Sequence, residues 1–252
     1  MAALLVLGGS GWLVYSTQVA PAQQQATATA QNQTATVVQQ ATVAHQPANL
    51  TATAQVGATA TVVAANPNPY SPHTGKLALI DPLTQPYLWQ NYKGSDLTCQ
   101  FKSGAYHVIE NKRFVNGCTP STPDYSNFAF EAQMTVLQGY CGGLAFRSDP
   151  NLESLYYFEV CADRNYYFAV YQNHKLIKTL IKNTSTAIHL GLNQSNLVAV
   201  VANGSHIDLY VNNQKINSVT DTTYTQGRFF LIADNYGNQT EVSFNKMRLW
   251  TL

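Results

Sequence analysis

The sequence predicts an all-β fold, a two-sheet antiparallel jelly-roll sandwich preceded by an apolar N-terminal segment and a low-complexity stalk. From Lys76 onward, short runs of alternating apolar and polar residues recur to the end of the chain. Turn-forming residues such as Asn-Gly-Ser and Asp-Arg-Asn separate these runs, and no ten-residue helical period is present among them. Many short strands at this spacing are typical of a sandwich or jelly roll.

Charge divides the chain near residue 75. The first Lys, Arg, Asp or Glu is Lys76, so all 14 basic and all 13 acidic residues lie from there onward, with a formal net charge of +1. The chain has no basic run that could neutralise a phosphate backbone, and we therefore expect no nucleic-acid partner.

Residues 1–20 are expected to be a remnant of a transmembrane anchor or a signal segment. The uncharged apolar run at 2–15 is marginal for crossing roughly 30 Å of hydrocarbon, even when it is extended to Gln18. The following VAPA offers small residues for signal cleavage, although a basic n-region is missing. A buried core helix is the third alternative. Either of the first two makes this segment the expected contact with a membrane.

Residues 21–75 are expected to be a disordered linker rich in Ala, Thr and Gln. The elements TATAQ and ATATVV recur, and no aromatic residue lies between Tyr15 and Tyr70. Such a composition cannot bury enough apolar surface to offset the entropy lost on ordering the backbone. As a flexible coil of about 60 residues it would reach roughly 40 to 45 Å, which predicts a stalk.

Residues 76–252 are expected to form the folded domain. The run 128–136 is the clearest strand, because Phe128, Phe130, Ala132, Met134 and Val136 fall on one face of it. The other runs predicted as strands are 76–80, 105–109, 143–147, 156–160, 166–171, 196–202, 206–211, 215–220, 227–233 and 241–250.

The four cysteines are expected to form two disulfides, Cys99 with Cys118 and Cys141 with Cys161. The second pair flanks a predicted hairpin, where opposed positions fall within disulfide range. Each bridge closes a loop of about 20 residues and stabilises the fold by roughly 3 kcal/mol. Disulfides indicate an oxidising, exported location. Zinc is the competing use of four cysteines, but the chain has no C-x2-C spacing, so we expect no metal and no cofactor.

The predicted Cys141–Cys161 register divides the hairpin into two faces. It opposes Gly143 with Glu159, Ala145 with Tyr157 and Arg147 with Leu155. The next turn is predicted to be a three-residue loop, 163–165, with Asn165 left-handed and Ala162 opposite Tyr166. A two-residue loop is the alternative, and it would instead turn Tyr167 and Tyr171 into the core. Under the three-residue loop, one surface carries a candidate ligand-binding patch of Arg147, Tyr157, Glu159, Tyr167 and Tyr171.

Tyrosine rings that stack on sugars, beside Arg and Glu side chains that bond hydroxyl groups, would suit a carbohydrate. The competing interpretation is a solvated sheet face. Tyrosine is a good strand former, and Arg147 with Glu159 would then be a weak surface ion pair.

The ordered succession GGLAFR, YYFEV, NLVAVVANGSHIDLYVNNQKI, DTTYTQGRFFLIAD and EVSFNKMRLW resembles the concanavalin A-like superfamily of lectins and glucanases. The likeness spans residues 76–252 and is closest to the laminin G-like and 3-keto-disaccharide hydrolase types. With its apolar start and stalk, the whole chain is similar to exported or membrane-anchored modules of Chloroflexi-type bacteria. The resemblance implies a jelly roll that acts on or binds carbohydrate, with Arg147 and Glu159 at the family's Arg and Glu strands.

The resemblance does not extend to a catalytic motif. Retaining glucanases of this fold carry an E-x-D-x-E type strand, because hydrolysis needs two carboxylates about 5 Å apart. Glu159 has no second carboxylate on its own strand, and CGG (141–143) replaces the usual Asn-Ser-Gly of the hydrolase type. We therefore expect no catalytic residue, or Glu159 alone if the chain is an enzyme.

Three functions remain open from the sequence. The first is a non-catalytic module, surface-anchored or secreted, that binds carbohydrate or another cell-surface polymer. The second is a hydrolase of the 3-keto-disaccharide type, and the third is a purely structural or adhesive stalked domain. Two weaker predictions concern a calcium site at Asp234, Asn235, Asn238 and Glu241, for which an Asx turn is the commoner explanation, and packing roles for Trp89 and Trp250.

Overall fold

The computed structural model describes residues 66–112, 115–237 and 239–252. The predicted anchor or signal segment at 1–20, and the predicted linker up to residue 65, lie outside this range. Among the described residues no helix is both long enough and apolar enough to span a membrane.

The described residues form two antiparallel sheets and no helix, which confirms the all-β prediction. The nine-stranded sheet contains β1 (Lys76–Asp81), β2 (Tyr92–Lys93), β3 (Leu97–Lys102), β4 (Ala105–Glu110), β6 (Phe128–Gln138), β11 (Ser195–Asn203), β12 (His206–Val211), β13 (Gln214–Thr220) and β15 (Thr240–Thr251). Its strand order is β13, β12, β11, β6, β15, β4, β3, β2, and β1 also pairs with β15. The six-stranded sheet contains β5 (Val115–Cys118), β7 (Cys141–Ser148), β8 (Leu155–Cys161), β9 (Asn165–Gln172), β10 (Lys175–Thr184) and β14 (Arg228–Asp234). Its order is β10, β9, β8, β7, β14, β5.

The inner faces of the two sheets pack together as the core. All five residues predicted on the inner face of β6 are buried there. From the other sheet, Phe146, Tyr156 and Phe168 stack with ring centroids 5.5 to 5.8 Å apart. Trp89 and Trp250 are fully buried, in agreement with their predicted packing roles.

Every run predicted as a strand lies in one, except that β14 begins at Arg228 and leaves out Gly227, while β2, β3, β5 and β10 were not predicted. In β10 the apolar residues come in two pairs four residues apart, Leu176-Ile177 and Leu180-Ile181, which is not a strand alternation. Irregularities in its pairing with β9, between Leu176 and Lys178 and between Thr179 and Ile181, accommodate that pattern.

Residues 66–75, which the sequence assigns to the linker, belong to the folded unit. Tyr70 is 2% exposed, and its ring lies 4.8 Å from that of Tyr210. Its hydroxyl donates a hydrogen bond to the Glu131 carboxylate on β6. The indole N–H of Trp250 donates to the Asn66 carbonyl at 2.8 Å. This short segment therefore covers part of the outer face of the nine-stranded sheet.

Both predicted disulfides are present. Cys99–Cys118 joins β3 to β5, and it therefore links the two sheets, with Cα atoms 6.1 Å apart. Cys141–Cys161 joins β7 to β8 within the six-stranded sheet, with Cα atoms 4.0 Å apart.

Candidate functional site

The β7–β8 hairpin places the first candidate residues on the outer face of the six-stranded sheet. The register opposes Cys141 with Cys161, Gly143 with Glu159 and Ala145 with Tyr157, as predicted. Because side chains alternate along a strand, Tyr157 and Glu159 point away from the core that holds Phe158.

The β8–β9 register differs from the prediction by two residues. Val160, rather than Ala162, pairs with Tyr166, and Arg164 takes the left-handed conformation (φ 72°) that was expected at Asn165. A shift of two residues preserves the face of each side chain. Tyr167 therefore lies opposite Glu159, and Tyr171 opposite Leu155, on the predicted outer face.

The predicted placement of Arg147 beside Tyr157 and Glu159 is wrong. Arg147 has a left-handed backbone (φ 48°), which breaks the strand alternation, and the β7–β8 pairing ends at Phe146 and Tyr156. Its side chain is 2% exposed. The guanidinium donates to the carbonyls of Ser126 (2.8 and 3.2 Å), Tyr224 (3.0 Å) and Gly204 (2.7 Å). Arg147 thus holds three chain segments together, and it does not belong to the candidate patch.

A second carboxylate, which the sequence did not indicate for this face, joins Glu159 from β14. Asp234 pairs with Cys141 on β7, and Cys141 pairs with Cys161 on β8. Glu159 is two residues from Cys161 along β8, so its side chain lies on the same face of the sheet as that of Asp234. Between them stands Gly143. A Cβ at residue 143 would lie 2.8 Å from the Cα of Glu159. Only glycine therefore allows the two strands to approach this closely without a displacement of the backbone.

Glu159 is fully buried although it lies on the outer face. Its Oε1 accepts a hydrogen bond of 2.6 Å from the hydroxyl of Tyr236, in the loop that follows β14. Its Oε2 is buried without a donor from any described residue. Burial and the neighbouring Asp234 carboxyl raise the pKa of Glu159, and burial raises that of Asp234. A proton held on Glu159 lets the two carboxyls hydrogen-bond to each other.

Tyrosine rings surround the two carboxyls. We call the set the tyrosine-acid cluster: Tyr157, Glu159, Tyr167, Tyr171, Asp234 and Tyr236. Burial, followed by the charges of nearby acids, raises the pKa of each of its tyrosines, and that of Tyr171 reaches about 12.

The rings of the cluster differ in their exposure. Tyr157 is 5% exposed and packs edge-on against Tyr171, with centroids 5.2 Å apart. Tyr167 and Tyr171 are half-buried, and Tyr236 is 47% exposed. The ring of Tyr140 packs edge-on against that of Tyr236 at 5.5 Å. The cluster therefore presents aromatic surface above buried hydrogen-bond acceptors.

The predicted calcium residues do not assemble. Asn235 forms an Asx turn, since its Oδ1 accepts the Gly237 N–H at 2.8 Å. Glu241 pairs with His107 at 2.7 Å, and Asn238 lies outside the described residues. Ligand atoms of Cys141, Glu159 and Cys161 lie within 4.8 Å of one another, but the disulfide occupies both sulfurs.

Asp234 could have been found in part from the sequence. In the run 227–233 the alternation turns the side chains of Phe230 and Ile232 away from the core. Asp234 is the next residue on that same outer face. What the sequence does not reveal is the pairing of β14 with β7, which brings Asp234 to Glu159 across 75 residues of chain.

No protein-family model matches the sequence, and neither does any curated protein. Solved structures share its fold. The carbohydrate-binding module CBM66 from Bacillus subtilis is 17% identical, with a TM-score of 0.54, over 65% of this chain and 96% of its own. A Bacillus subtilis protein of unknown function with a galectin-like fold is 11% identical (TM-score 0.51, 69% and 96%). A native glycosidic hydrolase is 10% identical (TM-score 0.50, 68% and 94%). The fold is thus a concanavalin A-like jelly-roll sandwich, as predicted.

Proposed function

We propose that residues 66–252 form a non-catalytic carbohydrate-binding module and that the tyrosine-acid cluster is its binding surface. The observation that carries the proposal is the pairing of partly exposed tyrosine rings with buried carboxyl groups on one sheet face. Sugar rings present C–H faces that stack on aromatic rings, and their hydroxyls bond to carboxyl oxygens. The fold likeness to a module described as carbohydrate-binding supports the same proposal.

We propose an extracytoplasmic location, with the module either secreted or held at a membrane by residues 1–20. The two disulfides support export, because such bridges persist in oxidising compartments. A stalk of Ala, Thr and Gln before the module would extend it from a surface.

A glycan array with the full chain tests this function. We expect saturable binding to at least one glycan, and a reduction in that binding in Tyr167→Ala and Tyr171→Ala. Tyr92→Ala is the matched control, because Tyr92 is 57% exposed on β2 of the other sheet. Absence of binding to every glycan would contradict the proposal and favour a structural or adhesive role. Equal loss in the control would place the binding surface elsewhere.

A glycoside-directed hydrolase is the second candidate, and the Glu159–Asp234 pair favours it by supplying two carboxyls. One feature counts against it. Arg147, which the resemblance to the hydrolase type places at the family's Arg strand, is held by the backbone carbonyls of Ser126, Tyr224 and Gly204 and lies apart from Glu159. Release of reducing ends from a polysaccharide panel tests it. Activity that is present in the wild type and absent in Glu159→Gln would support the hydrolase.

A further inference from the structure

Among the described residues, the Glu159–Asp234 pair differs from the other buried carboxylates in placing two acids side by side on one sheet face without an ion-pair partner. Buried Glu131, Asp208 and Asp221 each pair with a basic side chain. These ion pairs are Glu131–Arg248 at 2.6 Å, Asp208–Lys215 at 2.7 Å and Asp221–Lys178 at 2.7 Å. Buried Asp81 and Glu110 also form no ion pair among the described residues, and each accepts a backbone N–H. No Lys, Arg or His among the described residues forms an ion pair with Glu159 or Asp234.

The surroundings of the pair match the requirements of a small cation. An ammonium group is attracted to the faces of aromatic rings as well as to carboxylates. One such contact already exists at the edge of the cluster, where the exposed Lys182 places its Nζ 5.6 Å from the Tyr167 ring centroid. That lysine makes no ion pair with Glu159, so the acid pair has no ion-pair partner in the part of the chain that the structure describes.

The hydrogen-bonding groups also suit an ammonium. A primary ammonium carries three donors and no acceptor. Glu159 Oε2 is buried and receives no hydrogen bond from a donor among the described residues, and Asp234 lies on the same face of the sheet, one residue pair further along. A ligand carboxylate or sulfate would meet like charge at this position, which disfavours its binding in a desolvated contact.

We propose that the tyrosine-acid cluster binds a glycan through a free amino group, so that the ligand class is an amino sugar with an unacetylated primary amine. The ammonium lies against the Glu159–Asp234 pair, with tyrosine rings around it. This inference rests on the proposed carbohydrate-binding function and specifies its ligand. A neutral sugar would bring no positive charge to the acid pair, whereas an ammonium would add a charge that attracts the carboxylates.

Calorimetric titration of the full chain with three matched tetrasaccharides tests the inference. The probes are β-1,4-linked glucosamine, β-1,4-linked N-acetylglucosamine and β-1,4-linked glucose. We expect the glucosamine probe to bind about ten-fold or more tightly than either of the others. Asp234→Asn and Glu159→Gln should each reduce that preference by about ten-fold. Glu153→Gln is the matched control, since this residue lies in the turn of the same hairpin with its side chain 41% exposed.

Each outcome decides the inference. Equal binding of the three probes, or a preference retained in both variants, overturns it and leaves carbohydrate binding intact. Binding of none of the probes also overturns it, while the glycan array independently decides whether any carbohydrate is bound. If either variant fails to fold by thermal melting, Tyr236→Phe is used in its place. It removes only the hydroxyl that bonds Glu159, and we expect it to lower the preference in the same direction.

Discussion

Gly143 and Glu159 lie directly opposite each other across β7 and β8, and the pairing depends on the absence of a side chain at residue 143. A Cβ at this position would lie 2.0 Å from the Phe158 carbonyl oxygen and 2.8 Å from the Glu159 Cα. These are backbone atoms, so the contact cannot be relieved by a rotamer change. The glycine explains why CGG in this chain is compatible with a buried acid on the neighbouring strand.

We expect Gly143→Ala to lower the free energy of unfolding by about 2 kcal/mol or more, because the β7–β8 ladder must shift. Chemical denaturation measures the loss. Gly94→Ala is the control, since a Cβ there meets the hydroxyl end of the exposed Tyr92 side chain, which can move. Equal stability of Gly143→Ala and the wild type would contradict the close approach of these strands.

The raised pKa of Glu159 predicts a pH dependence of stability. An unfolded Glu ionises near pH 4.3, whereas the folded protein retains this proton to higher pH because of burial and Asp234. The unfolded state therefore loses its proton first, and stability falls as pH rises from about 4.3 to the folded pKa. The titratable groups that face Glu159 are Asp234 from β14, Tyr236 from the following loop, Tyr157 from β8, and Tyr167 and Tyr171 from β9.

Glu159→Gln should consequently gain stability relative to the wild type as pH rises from 4.3 to 8. Urea denaturation at several pH values follows this difference, with Glu153→Gln as the control that should track the wild type. A constant difference between Glu159→Gln and the wild type across this range would contradict the predicted proton retention.

The buried guanidinium of Arg147 predicts a structural effect without a binding effect. Arg147→Met would leave three carbonyls, those of Ser126, Gly204 and Tyr224, without their donor. We expect a loss of about 3 kcal/mol or more, since each unsatisfied buried acceptor costs about 1 to 3 kcal/mol. Glycan affinity, measured below the melting temperature, should be unchanged.

Arg228→Met is the control for that variant. Arg228 is partly exposed, and its ion pair with Asp124 is long, with 3.9 Å between Nε and Oδ1. We expect it to change stability by no more than about 0.5 kcal/mol. If Arg147→Met kept its stability and lost glycan binding, Arg147 would return to the ligand surface that the sequence assigned to it.

The packing of residues 66–75 predicts where a stable chain can begin. A chain that begins at Lys76 loses the buried Tyr70 ring and its hydrogen bond to Glu131. We expect its melting temperature to be at least about 5 °C below that of a chain that begins at Asn66. Tyr70→Phe keeps the ring, so its loss should be smaller. Identical melting of the two shortened chains would contradict a stabilising role for this segment.

Alternation explains why the faces of the hairpin could be predicted from the sequence. The residue pairs Gly143 with Glu159 and Ala145 with Tyr157 follow from the Cys141–Cys161 register and the two-residue period of a strand. For the same reason, Tyr167 and Tyr171 lie on the predicted outer face although the predicted β8–β9 register is wrong. The error is two residues, and a shift by an even number leaves each side chain on its face.

The rest of the site depends on features without a local signal. A left-handed conformation at a residue other than glycine, as at Arg147, interrupts alternation and is not visible in the sequence. The contact between Glu159 and Asp234 requires the order of strands in the sheet, which residue periodicity does not determine. The segment around Tyr70 has a linker-like composition, but it buries one large ring and forms hydrogen bonds with Glu131 and Trp250, and these contacts outweigh the composition of its neighbours.

The measurement that tests the central claim most directly is backbone amide NMR of the isotope-labelled full chain, titrated with the glycan that binds most tightly on the array. We predict that the shifted signals belong to β8, β9 and residues 235–237, and that they centre on Tyr167, Tyr171 and Tyr236. Shifts centred on the outer face of the nine-stranded sheet, around Tyr210 and Lys215, with unchanged signals in β8 and β9, would contradict the assignment of carbohydrate binding to the tyrosine-acid cluster.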